Sequence, residues 1–197
     1  MVSAENRKEQ FVEAAVRVIA EVGVGSATTR RIAEAAGAPL ASLHYCFSGK
    51  DELLLAVFSK LAVDALDPIE VEVGGDLAVA GEHLFRRTVD WFLEHEDYTL
   101  AGIDLYMWFT RNDRSLAAKA KDMFEAAFVD TIAAACPEVS TDAIVTLARA
   151  LIPVVDGLTV EWAAYRDRSG VQRSVDSVAA AIPALAAHAA QGALVGS

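Results

Sequence analysis

Apolar residues in this chain recur at steps of three and four almost from end to end, which restricts it to helices packed on helices. In the first stretch, 5–22, Phe11, Ala15, Val18, Ile19 and Val22 form one stripe, and Gly23-Val24-Gly25 ends it. Thr28 is placed to cap a second helix, 29–36, that turns Ile32 and Ala35 or Ala36 inward. Gly37 stops that helix, Ala38-Pro39 turns the chain, and a short third helix covers 40–46. A fourth starts at Ser48-Gly49-Lys50-Asp51, with Ser48 and Asp51 at capping-box spacing, and carries Leu53, Leu54, Val57, Phe58 and Leu61 to about Leu66. The segment DPIEVEVGGD, 67–76, holds a proline and two glycines and is the best boundary in the chain. Its Ile69-Val71-Val73 alternation has no partner run and reads as an extended connector. Five further helical stretches are expected at 77–95, 98–111, 114–135, 140–167 and 171–191, punctuated by Glu96-Asp97, Asn112-Asp113, Cys136-Pro137 and Ser169-Gly170. The expectation is an all-α protein of about nine helices, with one domain over 1–66 and a second over 77–197.

A chain of 197 residues, 54% of them hydrophobic, buries a core without disulfide or metal staples. Its two cysteines, Cys46 and Cys136, have no framework spacing, so a reducing, cytoplasmic home is expected. The start, MVSAENRKEQ, is too polar for a secretory signal. The alanine-rich end, 179–195, is interrupted by Pro183, His188 and Gln191 and is too weakly apolar for a membrane span, so no membrane partner is expected. The net charge of −11 seems to oppose nucleic acid. Its distribution removes the objection: residues 1–66 carry seven basic and eight acidic side chains, whereas 67–197 carry ten and twenty. A near-neutral first segment can still offer phosphates a local basic face, because screening confines charge effects to about 10 Å.

Two helices of about eight and seven residues joined by Gly37-Ala38-Pro39 match helix-turn-helix geometry, in which the second helix enters the major groove. Ile32, Ala33, Ala36, Leu43 and Phe47 can form the shared core, leaving Leu40, Ala41, Ser42, His44 and Tyr45 on or near the exposed face. On geometry alone a structural helical hairpin remains the alternative. The residues go further. The run TTRRIAEAAGAPLASLHYCFSGKDELLLAVF, 28–58, resembles the DNA-binding domain of the TetR family of repressors. The shared elements are Thr-x-x-x-Ile-Ala-x-x-Ala-Gly over 28–37, then Leu43, Tyr45, Phe47, Lys50 and Leu53, and helix lengths and order agree from about Arg7 to Leu61. Beyond that span the resemblance extends only to chain length and a helical C-terminal domain.

The resemblance implies a three-helix N-terminal helix-turn-helix domain and a C-terminal ligand-binding and dimerisation domain. It implies a repressor that binds double-stranded operator DNA as a homodimer and is released by a small-molecule inducer. Thr29 and Arg30 would contact backbone or groove edge, Leu40, Ala41, Ser42 and His44 would face bases, and Tyr45 and Lys50 would meet phosphates. Lys50 has a separate physical reading, since a cation at a helix N-terminus opposes the macrodipole and is compensated by a phosphate. The alternative is a solvated lysine beside Asp51. The chain departs from the family at Pro39, where a cappable Ser or Thr is usual, at Leu40, usually polar, at His44, usually tyrosine, and at Cys46, usually histidine. An operator sequence therefore does not carry over. Cys46 reads as a redox switch or, with no adjoining cation, as an inert buried thiol.

The C-terminal region shows no catalytic constellation. His44, His83, His95 and His188 are scattered, no metal-spaced cluster occurs, and no cofactor is expected. Aromatic residues are prominent and mostly core. Within the resemblance, Trp91, Trp108, Phe124 and Phe128, with Asp104, Tyr106 and Asp156 as placed polar groups, are candidates to line a pocket for a lipophilic inducer. Asp156 lies in LIPVVDGLTVEW, where a carboxylate is costly unless paired, and either a pocket role or a hydrogen bond to backbone freed by Pro153 accounts for it. Val175, Val178, Ile182, Leu185 and Ala189 form a narrow seam that suits either a dimer through 140–191 or packing in its own domain. The rival readings are a helical ligand-binding or interaction protein without DNA binding and a small helical enzyme.

Overall fold

The computed structural model describes residues 4–66 and 75–195; the connector reading of 69–73 lies outside them. Ten helices and no strand occur among the described residues: α1 Ala4–Ser26, α2 Thr29–Ala35, α3 Leu40–Cys46, α4 Lys50–Leu66, α5 Leu77–Glu94, α6 Glu96–Asn112, α7 Arg114–Ala135, α8 Thr141–Tyr165, α9 Arg168–Ala179 and α10 Ile182–Val195. The chain divides into two compact units. The first comprises residues 1–62 and 95–121, the second residues 63–94 and 122–197. The first unit is discontinuous in sequence, because α6 and the opening of α7 join the four N-terminal helices.

In the first unit α1 packs against α6, α2 and α3. Phe11, Ile19, Ile32, Leu43, Leu53, Leu54, Val57, Leu105 and Phe109 are wholly or almost wholly buried in one core. The stripe read on α1 is this buried face, except that Val22 is exposed. Its helical geometry is broken at Gly23 (φ +75°, ψ 158°), where the sequence places the stop.

In the second unit α8 packs against α5, α9 and α10, and α5 against α9 and α10. Leu84, Phe85, Val89, Phe128, Ile132, Leu147, Leu151, Val155 and Ile182 supply its core. Gly81 lets α5 and α8 approach: a Cβ there would lie 2.7 Å from a Leu147 methyl. Side-chain caps start α5 and α8, with Asp76 accepting from the Ala78 N–H (2.7 Å) and Ser140 from the Ala143 N–H (3.3 Å). By length and composition α8 could cross a bilayer, and half of its apolar stretch is buried inside the protein, as in a core helix.

Three boundaries differ from expectation. Glu96 and Asp97 open α6 instead of interrupting it, since acidic residues suit the positive end of a helix dipole. The stop expected at Ser169-Gly170 falls at Arg166, which adopts the left-handed conformation (φ 55°) and lays its guanidinium 4.4 Å from the Trp162 ring. The stretch expected at 171–191 breaks at Ala180-Ala181, because Pro183 in a continuous helix would meet the Ala179 carbonyl. In the first turn of α10 its missing N–H costs nothing.

Candidate nucleic-acid interface

Two local devices fix α2. The Thr28 hydroxyl accepts the Arg31 N–H at 3.2 Å, as its capping position implies. At the other end Gly37 (φ +61°) closes a Schellman turn, with the Ala38 N–H donating to Ala33 O and the Gly37 N–H to Glu34 O, both at 3.0 Å. The Gln10 amide of α1 donates to Ala36 O at 2.9 Å and holds this turn in place. That contact spans 26 residues and was not legible in sequence.

Pro39 precedes α3 in extended conformation and gives it no side-chain cap. The Ser42 N–H bonds back to Pro39 O instead (2.9 Å). Leu43 and Cys46 turn inward and are buried; Leu40, Ala41, His44 and Tyr45 are exposed, Tyr45 most of all at 87%, and Ser42 is half-buried. On α2, Thr29 is half-buried, and Arg30 is exposed with no side-chain hydrogen bond or ion pair among the described residues. Seven of the eight expected DNA-contacting side chains thus sit on one helix pair. Cys46 is an inward thiol.

The eighth, Lys50, is half-buried at the head of α4. Its ammonium donates to Val24 O at 2.6 Å and lies 5.9 Å from the Trp108 ring centroid. Burial pushes its pKa down, against an opposing pull from Asp51. The Val24 N–H donates to Asp104 Oδ2 at 2.5 Å. Val24 is therefore held from α4 through its carbonyl and from α6 through its amide. Gly23 is required here twice, by its positive φ and because a Cβ would lie 3.2 Å from the same Asp104 oxygen. Sequence reading marked Gly23 as a helix stop but placed Asp104 with the pocket.

The capping arrangement at α4 also differs in its carboxylate. Glu52, not Asp51, reaches back: its Oε2 accepts the Ser48 N–H (2.7 Å) and the Ser48 hydroxyl (2.6 Å). These bonds hold the Glu52 carboxyl below its ordinary range.

The seven expected ligand-lining residues are divided between the units. In the first, Asp104, Tyr106 and Trp108 are half-buried on α6, with Lys121 5.9 Å from the Tyr106 ring and Trp108 edge-on to Phe109 at 5.8 Å. In the second, Phe124 and Phe128 are buried and Trp91 is half-buried. Trp91 meets Phe92 edge-on at 5.2 Å, and Phe92 lies 6.4 Å from Phe124. Phe92 therefore belongs with this aromatic group. Asp156 is exposed, on the outer face of α8 with Pro153, Gly157 and Val160, so the burial that would make its charge costly is absent. Among the described residues no three potential metal ligands converge.

A capped helix, a Schellman turn and a second helix with an exposed polar and aromatic face make a helix-turn-helix module, the class of protein whose work is binding DNA. The chain matches the family model described as bacterial regulatory proteins, tetR family, over residues 11–57. It is 33% identical over 168 residues to the HTH-type nicotine-responsive transcriptional repressor HdnoR of Paenarthrobacter nicotinovorans, covering 82% of this chain and 86% of that protein. Solved structures share the fold: a TetR-family transcriptional regulator from Rhodococcus sp. superposes with a TM-score of 0.70 at 20% identity, covering 91% of this chain and 97% of that one. The fatty acid degradation regulator FadR from Bacillus halodurans does so with a TM-score of 0.68 at 16% identity, covering 89% and 94%. The chain belongs to the TetR family of transcriptional regulators, which are not enzymes.

Proposed function

We propose that this regulator is a cytoplasmic repressor that binds a pseudo-palindromic operator as a homodimer and leaves it on binding a small lipophilic inducer. The observation that carries the DNA contact is the exposed face of α3, set behind the capped and Schellman-closed α2. Residues 22–50 hold Arg30, Arg31 and Lys50 against the single acidic Glu34, a basic stretch in a chain of net charge −11. Thr29 and Arg30 meet the groove edge; Leu40, Ala41, Ser42 and His44 face bases; Tyr45 meets a phosphate. Lys50 gives one donor to Val24 and keeps two for a phosphate. In this reading residues 1–66 form the DNA-binding domain and 77–197 the ligand-binding and dimerisation domain.

The relative's nicotine response supports a small organic inducer. Each unit by itself offers aromatic surface for it, Trp91, Phe124 and Phe128 in the second and Tyr106 and Trp108 in the first. Asp104 already accepts a backbone N–H, which favours a neutral compound over one needing a carboxylate partner. Release requires the inducer to prefer the conformation that does not bind DNA, because equal affinity shifts nothing. A duplex selected from a random library by the wild-type protein supplies the operator. A compound screened for binding is then titrated calorimetrically with and without that duplex. The reading expects operator and compound to weaken each other by the same factor, about 1.4 kcal/mol for each tenfold. Equal compound affinity with and without DNA overturns the inducible part.

A further inference from the structure

Seven consecutive residues, Ala35 to Ala41 (AAGAPLA), carry no side-chain hydrogen-bonding atom. They cover the end of α2, the turn and the leading edge of α3, so this part of the interface has an unusual chemistry. Ala35, Gly37, Pro39, Leu40 and Ala41 are exposed, and Leu40 is among the large apolar side chains left in solvent. The first polar side chain of α3 is the half-buried Ser42, and exposed polar groups resume at His44, about 6 Å along the axis from Leu40, and Tyr45. The pair Leu40 and Ala41 at the head of α3 thus offers bases only hydrocarbon from its side chains. It can neither donate to a guanine or adenine edge nor accept from a cytosine amino group.

The major groove presents one apolar feature, the C5 methyl of thymine. We propose that Leu40, flanked by Ala41, reads a thymine by that methyl group at a fixed position in each operator half-site, with His44 supplying polar readout one turn later. This rests on the DNA-binding reading of α3, which the basic stretch around the patch supports: an apolar edge set among Arg30, Arg31 and Lys50 suits a phosphate-lined groove containing a methyl. A purely structural reason for Leu40 is weak, since the core beneath α3 is already supplied by Leu43 and Cys46.

The test uses the full-length protein and a duplex it selects from a random library. Each thymine is replaced in turn by deoxyuridine, which removes the methyl and keeps the base pair. At the position read by Leu40 the loss should be about fourfold per half-site, and roughly fifteenfold when both are changed. Replacing that T·A pair by 5-methylcytosine·G, which keeps the methyl but changes the hydrogen-bonding edges, should bind more tightly than unmethylated C·G by a similar factor. Leu40→Ala, with folding checked by circular dichroism, should bind the thymine and deoxyuridine duplexes alike. If no duplex is selected, the DNA-binding reading falls and this inference with it. If a duplex is bound and no deoxyuridine weakens it more than twofold, methyl readout is overturned while DNA binding stands. If Leu40→Ala keeps the full deoxyuridine penalty, the methyl is read elsewhere and the assignment to Leu40 is wrong.

Discussion

Val24 is gripped at both backbone ends, its amide by Asp104 and its carbonyl by Lys50, next to a glycine whose φ few other residues adopt. Since Val24 is fully buried, Asp104→Ala leaves its amide unpaired and should destabilise the protein by about 1–3 kcal/mol in urea denaturation. Asp104→Asn keeps an acceptor and should cost less. Gly23→Ala should cost of order 1–3 kcal/mol from its backbone conformation alone, before any contact with Asp104. Lys50→Ala should weaken binding to every duplex and lower the salt slope by about one unit; an unchanged slope would confine Lys50 to bracing Val24. The sequence showed half of this. Thr28 and Gly37 act on residues a few positions away, so capping rules find them. The Asp104–Val24 bond joins residues 80 apart, and no local rule reaches that far. Asp156 illustrates another limit: windowed hydropathy marks an apolar run but not which face of the helix a carboxylate occupies.

Among the elements, those with strong stops were the most legible, and the errors lie where two stop signals competed. Ser169-Gly170 yielded to Arg166, whose stacking on Trp162 accompanies a backbone conformation more usual for glycine. At the head of α4, Ser48 had two acidic residues to choose from, and the one a full turn away took both of its donors. This cap carries a pH dependence. Glu52 ionises more readily folded than unfolded, so its stabilisation is present above the ordinary glutamate range and is lost as pH falls through the depressed folded value. Glu52→Gln should therefore be less stable than wild type at neutral pH, with the gap in Tm narrowing in acid. Thermal melts across that range provide the check, and a gap independent of pH would mean that the carboxylate charge contributes nothing.

For the molecule as a whole, the expected dimer seam has another use. Val175, Ile182 and Ala189 are buried within the second unit, so they already belong to its core. For the proposed homodimer, one candidate surface of the second unit is the outer face of α8, where Pro153, Gly157 and half-exposed Val160 flank Asp156, together with the exposed alanines Ala184, Ala187 and Ala190 on α10. Val160→Glu combined with Ala187→Glu should give monomers in sedimentation; a dimer that persists would place the interface elsewhere. The discontinuity of the first unit reaches into gene architecture. Its core is completed by Ala101, Leu105, Phe109, Leu116, Ala117 and Ala120, all encoded downstream of α5. A chimera that grafts residues 1–66 onto a foreign sensor would carry the recognition helix but abandon the helix against which α1 packs. Exchange of operator preference between relatives by recombination therefore needs two separate stretches of coding sequence to travel together. Point substitution at the exposed positions of α3, Leu40, Ala41, His44 and Tyr45, which leaves the buried Leu43 and Cys46 in place, is the shorter route to a new operator.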